Sequence, residues 1–150
     1  MKRYVVGFLF DDALATVCLI AKNRPGWMKG LLNGVGGEID RPETAAEAMC
    51  REFEEEAGVQ TPESLWVHVA TLYFPYKRVE YFAARDSGAF DLAEACTDEA
   101  ILKVPLGKVP LLKVVANVRE LIELSLQRLK DREGVPLYIQ GAVREEDTAP

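Results

Sequence analysis

Two apolar, β-prone runs open the chain, Tyr4 to Phe10 and Leu14 to Ala21. The polar break Asp11-Asp12-Ala13 between them predicts a hairpin. Further strands are predicted over Leu65 to Phe74 and Val79 to Ala84, around a Pro75-Tyr76 turn, and over Ala100 to Val104 after Thr97-Asp98-Glu99. Thr44 to Ala57 predicts a helix whose ends are written into the residues: Thr44-Ala45-Ala46-Glu47 is a capping box and Gly58 a stop. From Leu111 to Lys130 apolar residues recur mostly at helical spacing between Pro110 and Gly134, which predicts a long packing helix. Strands interleaved with helices favour an α/β sandwich, a mixed sheet covered by helices on its faces.

At 150 residues the chain fits one domain, expected over residues 1–142, with the charged end 143–150 expected as a tail. The 24 acidic against 18 basic residues, net −6, argue against a protein that grips a nucleic-acid polymer, which needs a basic surface. An anionic substrate would then need a metal or local cations. Cys18, Cys50 and Cys96 form no CxxC pair, so neither a disulfide framework nor a thiolate zinc site is indicated, which fits a reducing cytoplasm. The first apolar run is cut by Asp11-Asp12 well short of a signal sequence or membrane span. A monomer or homodimer away from the membrane is expected.

Chemistry is concentrated in two adjacent segments. Gly34-Val35-Gly36-Gly37 has three glycines in four positions, a backbone that can approach a ligand closely. On the helix that follows, Glu52, Glu55 and Glu56 share one face, Glu55 at roughly −60° and Glu56 at roughly +40° from Glu52 on a wheel of about 100° per residue. Met49 and Phe53 lie on the adjoining arc, so the acidic stripe sits at the core's edge. Like charges at these spacings repel, and they oppose the dipole at the helix C-terminus. Arg51 at i,i+4 spacing from Glu47 and Glu55 could make this a helix laced with surface ion pairs. A hard, oxygen-seeking cation such as Mg²⁺ would offset the same charge and point to phosphate chemistry.

Gly37, five residues, Glu43, seven residues, then Arg51-Glu52-Phe53-Glu54-Glu55-Glu56-Ala57-Gly58-Val59 resembles the Nudix box, G-x5-E-x7-R-E-U-x-E-E-x-G-U, with every polar and glycine position filled. The one departure is Phe53 where an aliphatic residue is usual. The resemblance implies a Nudix-type α/β/α sandwich and a hydrolase of nucleoside diphosphate linkages. It further implies Mg²⁺, with Mn²⁺ as a substitute, held by Glu52, Glu55, Glu56 and the Gly36 carbonyl. Arg51 would orient the carboxylates, Glu43 would brace the loop at Gly37 against the helix, and Glu99 is the later-loop candidate for general base.

The box fixes the reaction, not the substrate. Lys22-Asn23-Arg24-Pro25 and Asn33-Gly34-Val35-Gly36-Gly37 resemble the MutT-type branch, which acts on oxidised purine nucleoside triphosphates. Asn33 would read the base, Asn117 would be a second reader, and Lys22 and Arg24 would meet the phosphates. Trp27, Tyr73, Phe74 and Tyr76 are stacking or packing candidates, while His68, among apolar neighbours in a predicted strand, reads as structural. Pro75 and Tyr76 lie where ADP-ribose and dinucleoside-polyphosphate hydrolases of the family carry markers. The expected activity is therefore hydrolysis of a nucleoside or deoxynucleoside triphosphate to the monophosphate and pyrophosphate. An ADP-ribose or nucleotide-sugar pyrophosphatase is the alternative, and a non-catalytic nucleotide sensor a third reading.

Overall fold

The computed structural model describes residues 1–141. The expected boundary at residue 142 and the 143–150 tail lie outside the described residues. A mixed sheet is built from β1 (Lys2–Phe10), β2 (Thr16–Ala21), β3 (Leu32–Asn33), β4 (Val35–Glu38), β5 (Val67–Tyr73), β6 (Lys77–Arg85), β7 (Ile101–Pro105) and β8 (Leu137–Gln140). Its order is β3-β2-β1-β6-β5-β8, with β4 on β1 and β7 on β2. The β1–β6 and β5–β8 pairs are parallel and the others antiparallel.

Val5 to Phe10 is buried without a break because both faces of β1 are covered. Val5 and Leu9 pack with Met49 and Phe53 of α1 (Ala45–Ala57). Val6, Phe8 and Phe10 point the other way, against Leu121, Ile122 and Leu129 of α3 (Val118–Lys130). The sandwich is thus helix, sheet, helix, as expected. Gly7 is needed where α1 crosses, since a Cβ there would lie 2.6 Å from Met49 Sδ and 2.8 Å from the Trp66 ring.

The hairpin and α1 form as the residues predict. Asp11 Oδ1 accepts from the Ala15 and Thr16 amides at 2.8 and 3.1 Å and closes the first turn. Thr44 and Glu47 make the reciprocal capping box, and Gly58 ends α1 at φ 75 in the left-handed region. His68 sits half-buried on β5, its Nε2 2.9 Å from Thr71 Oγ1 and its ring against Phe82.

The long helix over Leu111 to Lys130 is corrected. Leu106–Leu111 is a 3-10 turn containing Pro110, and Leu32 then pairs with the segment that follows, its amide donating to the Lys113 carbonyl at 3.0 Å and its carbonyl accepting from the Val115 amide at 2.9 Å. Asn117 at φ 71 makes the break, and α3 starts only at Val118. The apolar residues of this stretch pack from an extended segment, which mimics helical spacing over a few positions. Four elements are not among those the residues predict: β3 and β4, which make the glycine segment strand rather than loop, α2 (Ser87–Leu92), a short helix capped by Asp86, and β8, a largely exposed edge strand. Among the described residues no helix is long and apolar enough to cross a membrane.

Candidate active site

The acidic face of α1 lies against β4, whose glycines let it come close. A Cβ on Gly37 would fall 2.4 Å from Glu52 Oε1, and one on Gly36 would collide with the Val5 carbonyl of β1. The Gly36 backbone N–H faces the Glu56 carboxylate. The two motif segments are therefore one piece of structure, with strand and helix meeting through backbone and carboxylate.

Arg51 organises the face. Its Nε and Nη2 donate to the two oxygens of Glu43 at 2.9 and 2.7 Å, a bidentate pair. Nη1 reaches Glu52 Oε1 at 2.9 Å and Glu55 Oε2 at 3.3 Å, and Nη2 also donates to the Glu38 carbonyl. Asp40, which sequence reasoning missed, adds an ion pair at 3.5 Å. Glu43 in turn accepts from the Asp40 amide at 2.8 Å, which ties it to the β4–α1 loop.

Among the described residues no three His, Cys, Asp or Glu side chains are gathered into a ready cage for an ion, and Arg51 holds one oxygen each of Glu52 and Glu55. The donor set nevertheless fits a hard divalent cation. Burial pushes Glu56 up to about 7, with Glu52 and Glu99 adding to the rise and Lys22 and the Gly36 amide opposing it. Glu56 Oε2 is buried without a hydrogen-bond partner. Burial likewise raises Glu52 despite the neighbouring guanidinium. Buried carboxylates held toward their neutral form beside one orphaned oxygen are the arrangement a cation would relieve.

Glu99 comes from the bend before β7 and is 3% exposed, so it is not a solvated loop acid. It accepts from Lys22 Nζ at 3.1 Å and from the Asn23 and Arg24 amides at 2.6 and 3.3 Å. Burial acts to raise its pKa, but these donors outweigh it and hold the group below the usual carboxylate range. Lys22 is thereby fixed near Glu56. Arg24 turns outward instead, both Asp98 oxygens lying 2.7–2.8 Å from its Nη2.

On the α3 side of the same glycines opens a cavity of about 650 Å³, lined by Gly36, Gly37, Lys22, Asn33, Asn117, Trp27 and Phe74 among others. The two asparagines, far apart in sequence, share it. Tyr73, Tyr76 and Arg24 are not among its lining residues. Lys77, Val79 and Tyr81 of β6 line it beside Lys2, Tyr4 and Val6 of β1, aligned by the parallel register Lys2↔Lys77, Tyr4↔Val79 and Val6↔Tyr81. Period-two alternation in each strand was the available signal, but it names a shared wall only once the strand order is known.

A model of the NUDIX domain matches residues 1–124. No curated protein matches the chain in sequence. Solved structures with the same fold include a MutT from a study of the Aliivibrio salmonicida and Vibrio cholerae proteins, 17% identical, TM-score 0.68, covering 84% of this chain and 98% of that one. The NUDIX domain of Shewanella oneidensis NrtR, in complex with ADP ribose, is 22% identical with TM-score 0.68, covering 85% and 87% of the two chains. Shewanella oneidensis NrtR bound to a 27mer DNA is 21% identical with TM-score 0.69, covering 86% of this chain and 62% of that one. The matched residues run through the glycine loop, the acidic helix and Glu99 alike, and the chain belongs to the Nudix hydrolase family.

Proposed function

We propose that this chain hydrolyses a nucleoside or deoxynucleoside triphosphate, with oxidised purines among the candidates, to the monophosphate and pyrophosphate. The observation that carries this reading is the joining of two asparagines and two aromatic rings in one cavity to the Gly36-Gly37 backbone, whose far side meets Glu52 and Glu56. Glu52, Glu55, Glu56 and the Gly36 carbonyl would hold Mg²⁺ or Mn²⁺. Such an ion supplies charge neutralisation at phosphate oxygens and an activated water. Arg51, locked by Glu43, sets the orientation of Glu52 and Glu55. Glu99 anchors Lys22 where an ammonium can meet phosphate. With three donors on its oxygens Glu99 is a weak proton acceptor, and Glu56, with an oxygen unshared, is better placed for that role.

The ADP-ribose complex of the NrtR domain favours a second reading, an ADP-ribose or nucleotide-sugar pyrophosphatase. The acid excess of the chain favours a small nucleotide over a nucleic-acid polymer, and a gel-shift with duplex DNA checks this against the NrtR–DNA comparison. The deciding experiment measures phosphate and pyrophosphate release, with and without Mg²⁺, over normal and oxidised triphosphates, ADP-ribose, nucleotide sugars and dinucleoside polyphosphates. Mg²⁺-dependent pyrophosphate release from a triphosphate is expected. Cleavage of ADP-ribose alone would replace the substrate assignment, and binding without turnover would make the chain a sensor.

A further inference from the structure

The sheet ends at β8, and this edge is unlike the rest of the surface. Among the described residues β8 has β5 on one side and no strand on the other, so a row of its N–H and C=O groups faces outward. Neither helix reaches over it, and every residue of the strand is exposed. Val135, Leu137, Tyr138 and Ile139 are 76, 44, 65 and 36% exposed, a run of apolar side chains rather than scattered ones. No charged residue lies between Gly134 and Val143, in a chain of which 28% is charged. Edge strands are ordinarily guarded by lysine or proline; here Pro136 stands ahead of the strand, and Leu137–Gln140 itself carries neither.

The stretch that follows is poorly suited to cover this edge: Ala142 to Pro150 holds one bulky apolar side chain, Val143, ahead of Arg144, Glu145, Glu146 and Asp147. We propose that a second copy of the chain covers it, β8 of one protomer pairing antiparallel with β8 of its partner about a two-fold axis normal to the sheet. Such an axis keeps each face of the sheet on its own side. Opposed residues must then share a face, so the axis passes beside a residue that meets its own copy. The register Ala70↔Leu137 and Leu72↔Ile139 puts Leu137 and Ile139 on the α3 side. Tyr138, opposite Thr71, lies on the α1 side with its ring 6.1 Å from that of His68. An axis beside Tyr138 opposes Leu137 to Ile139 twice and Tyr138 to itself, whereas one beside Ile139 leaves Leu137 against Gly141. The first register makes the edge complementary to itself, and the lack of charge removes the like-charge repulsion that self-pairing otherwise brings.

Sedimentation of the full chain tests this in the wild type, Tyr138→Lys and Leu111→Lys, with circular dichroism to verify folding. Tyr138→Lys sets two ammonium groups against each other across the axis, while Leu111, 83% exposed and remote in sequence from β8, is the control. The wild type is expected to be a dimer at about 100 μM chain, its association weakened at least about tenfold in Tyr138→Lys and unchanged in Leu111→Lys. In a Cys96→Ser background, Tyr138→Cys is expected to oxidise to a disulfide-linked dimer, because the axis brings the two thiols together. A monomeric wild type at that concentration, a folded Tyr138→Lys that dimerises as tightly as the wild type, equal weakening by Leu111→Lys, or a dimer in which Tyr138→Cys fails to cross-link would overturn the proposal.

Discussion

Arg51 is the residue on which the acidic face depends, since its flat fork spans Glu43, Glu52 and Glu55 at once. A lysine keeps the charge but not the bidentate geometry, so Arg51→Lys is expected to lower kcat by about 10–100-fold with little loss of stability, measured by steady-state kinetics beside thermal melts. Gly37→Ala probes the close approach of strand and helix. Its methyl would displace the Glu52 carboxylate rather than backbone, so activity should fall while the fold persists; unchanged kcat would show that the contact does not matter. Cys18 offers a control remote from this chemistry. Burial pushes its thiol up to about 12, so the thiolate is absent at pH 8 and Cys18 should resist alkylation until the chain unfolds, whereas exposed Cys96 reacts first. Mass spectrometry of the labelled peptides checks the order.

Helix α1 shows what was legible at the level of elements and why. Cap, stop and apolar arc are all local signals, and the structure reproduces them. Phe53, where the family motif usually has an aliphatic residue, is fully buried and meets Trp66 edge-on at 5.4 Å, so the larger ring is accommodated by packing. Phe53→Ala is expected to cost about 3–5 kcal/mol and Thr44→Ala about 1 kcal/mol, by denaturant titration. A smaller loss for Phe53 than for Thr44 would contradict the placement of the core. The start of α3 was not legible, because Val114 and Val115 owe their burial to pairing with Leu32, a partner far off in sequence. β8 escaped notice for a related reason: it is a strand by virtue of β5 beside it, not of its own alternation.

Across the whole molecule the sheet separates two tasks. One face carries α1 and its carboxylates, the other a cavity lined in part by the segment just before α3, and the thin glycine strand β4 borders both. The motif residues of the first task are contiguous enough to read from sequence. Those of the second are drawn from β1, β3, β6 and the segment before α3, so Asn33 and Asn117 were visible only through a family resemblance, and Lys77 and Tyr81 not at all. The proposed activity depends on the carboxylates beside Gly36, with the orphaned oxygen of Glu56 among them, taking up a divalent cation. Calorimetric titration of Mn²⁺ into the wild type and Glu56→Gln tests it most directly. Saturable binding by the wild type, weakened at least about tenfold in Glu56→Gln, is the predicted result. Equal affinity in the two proteins, or no binding by the folded wild type, would contradict it.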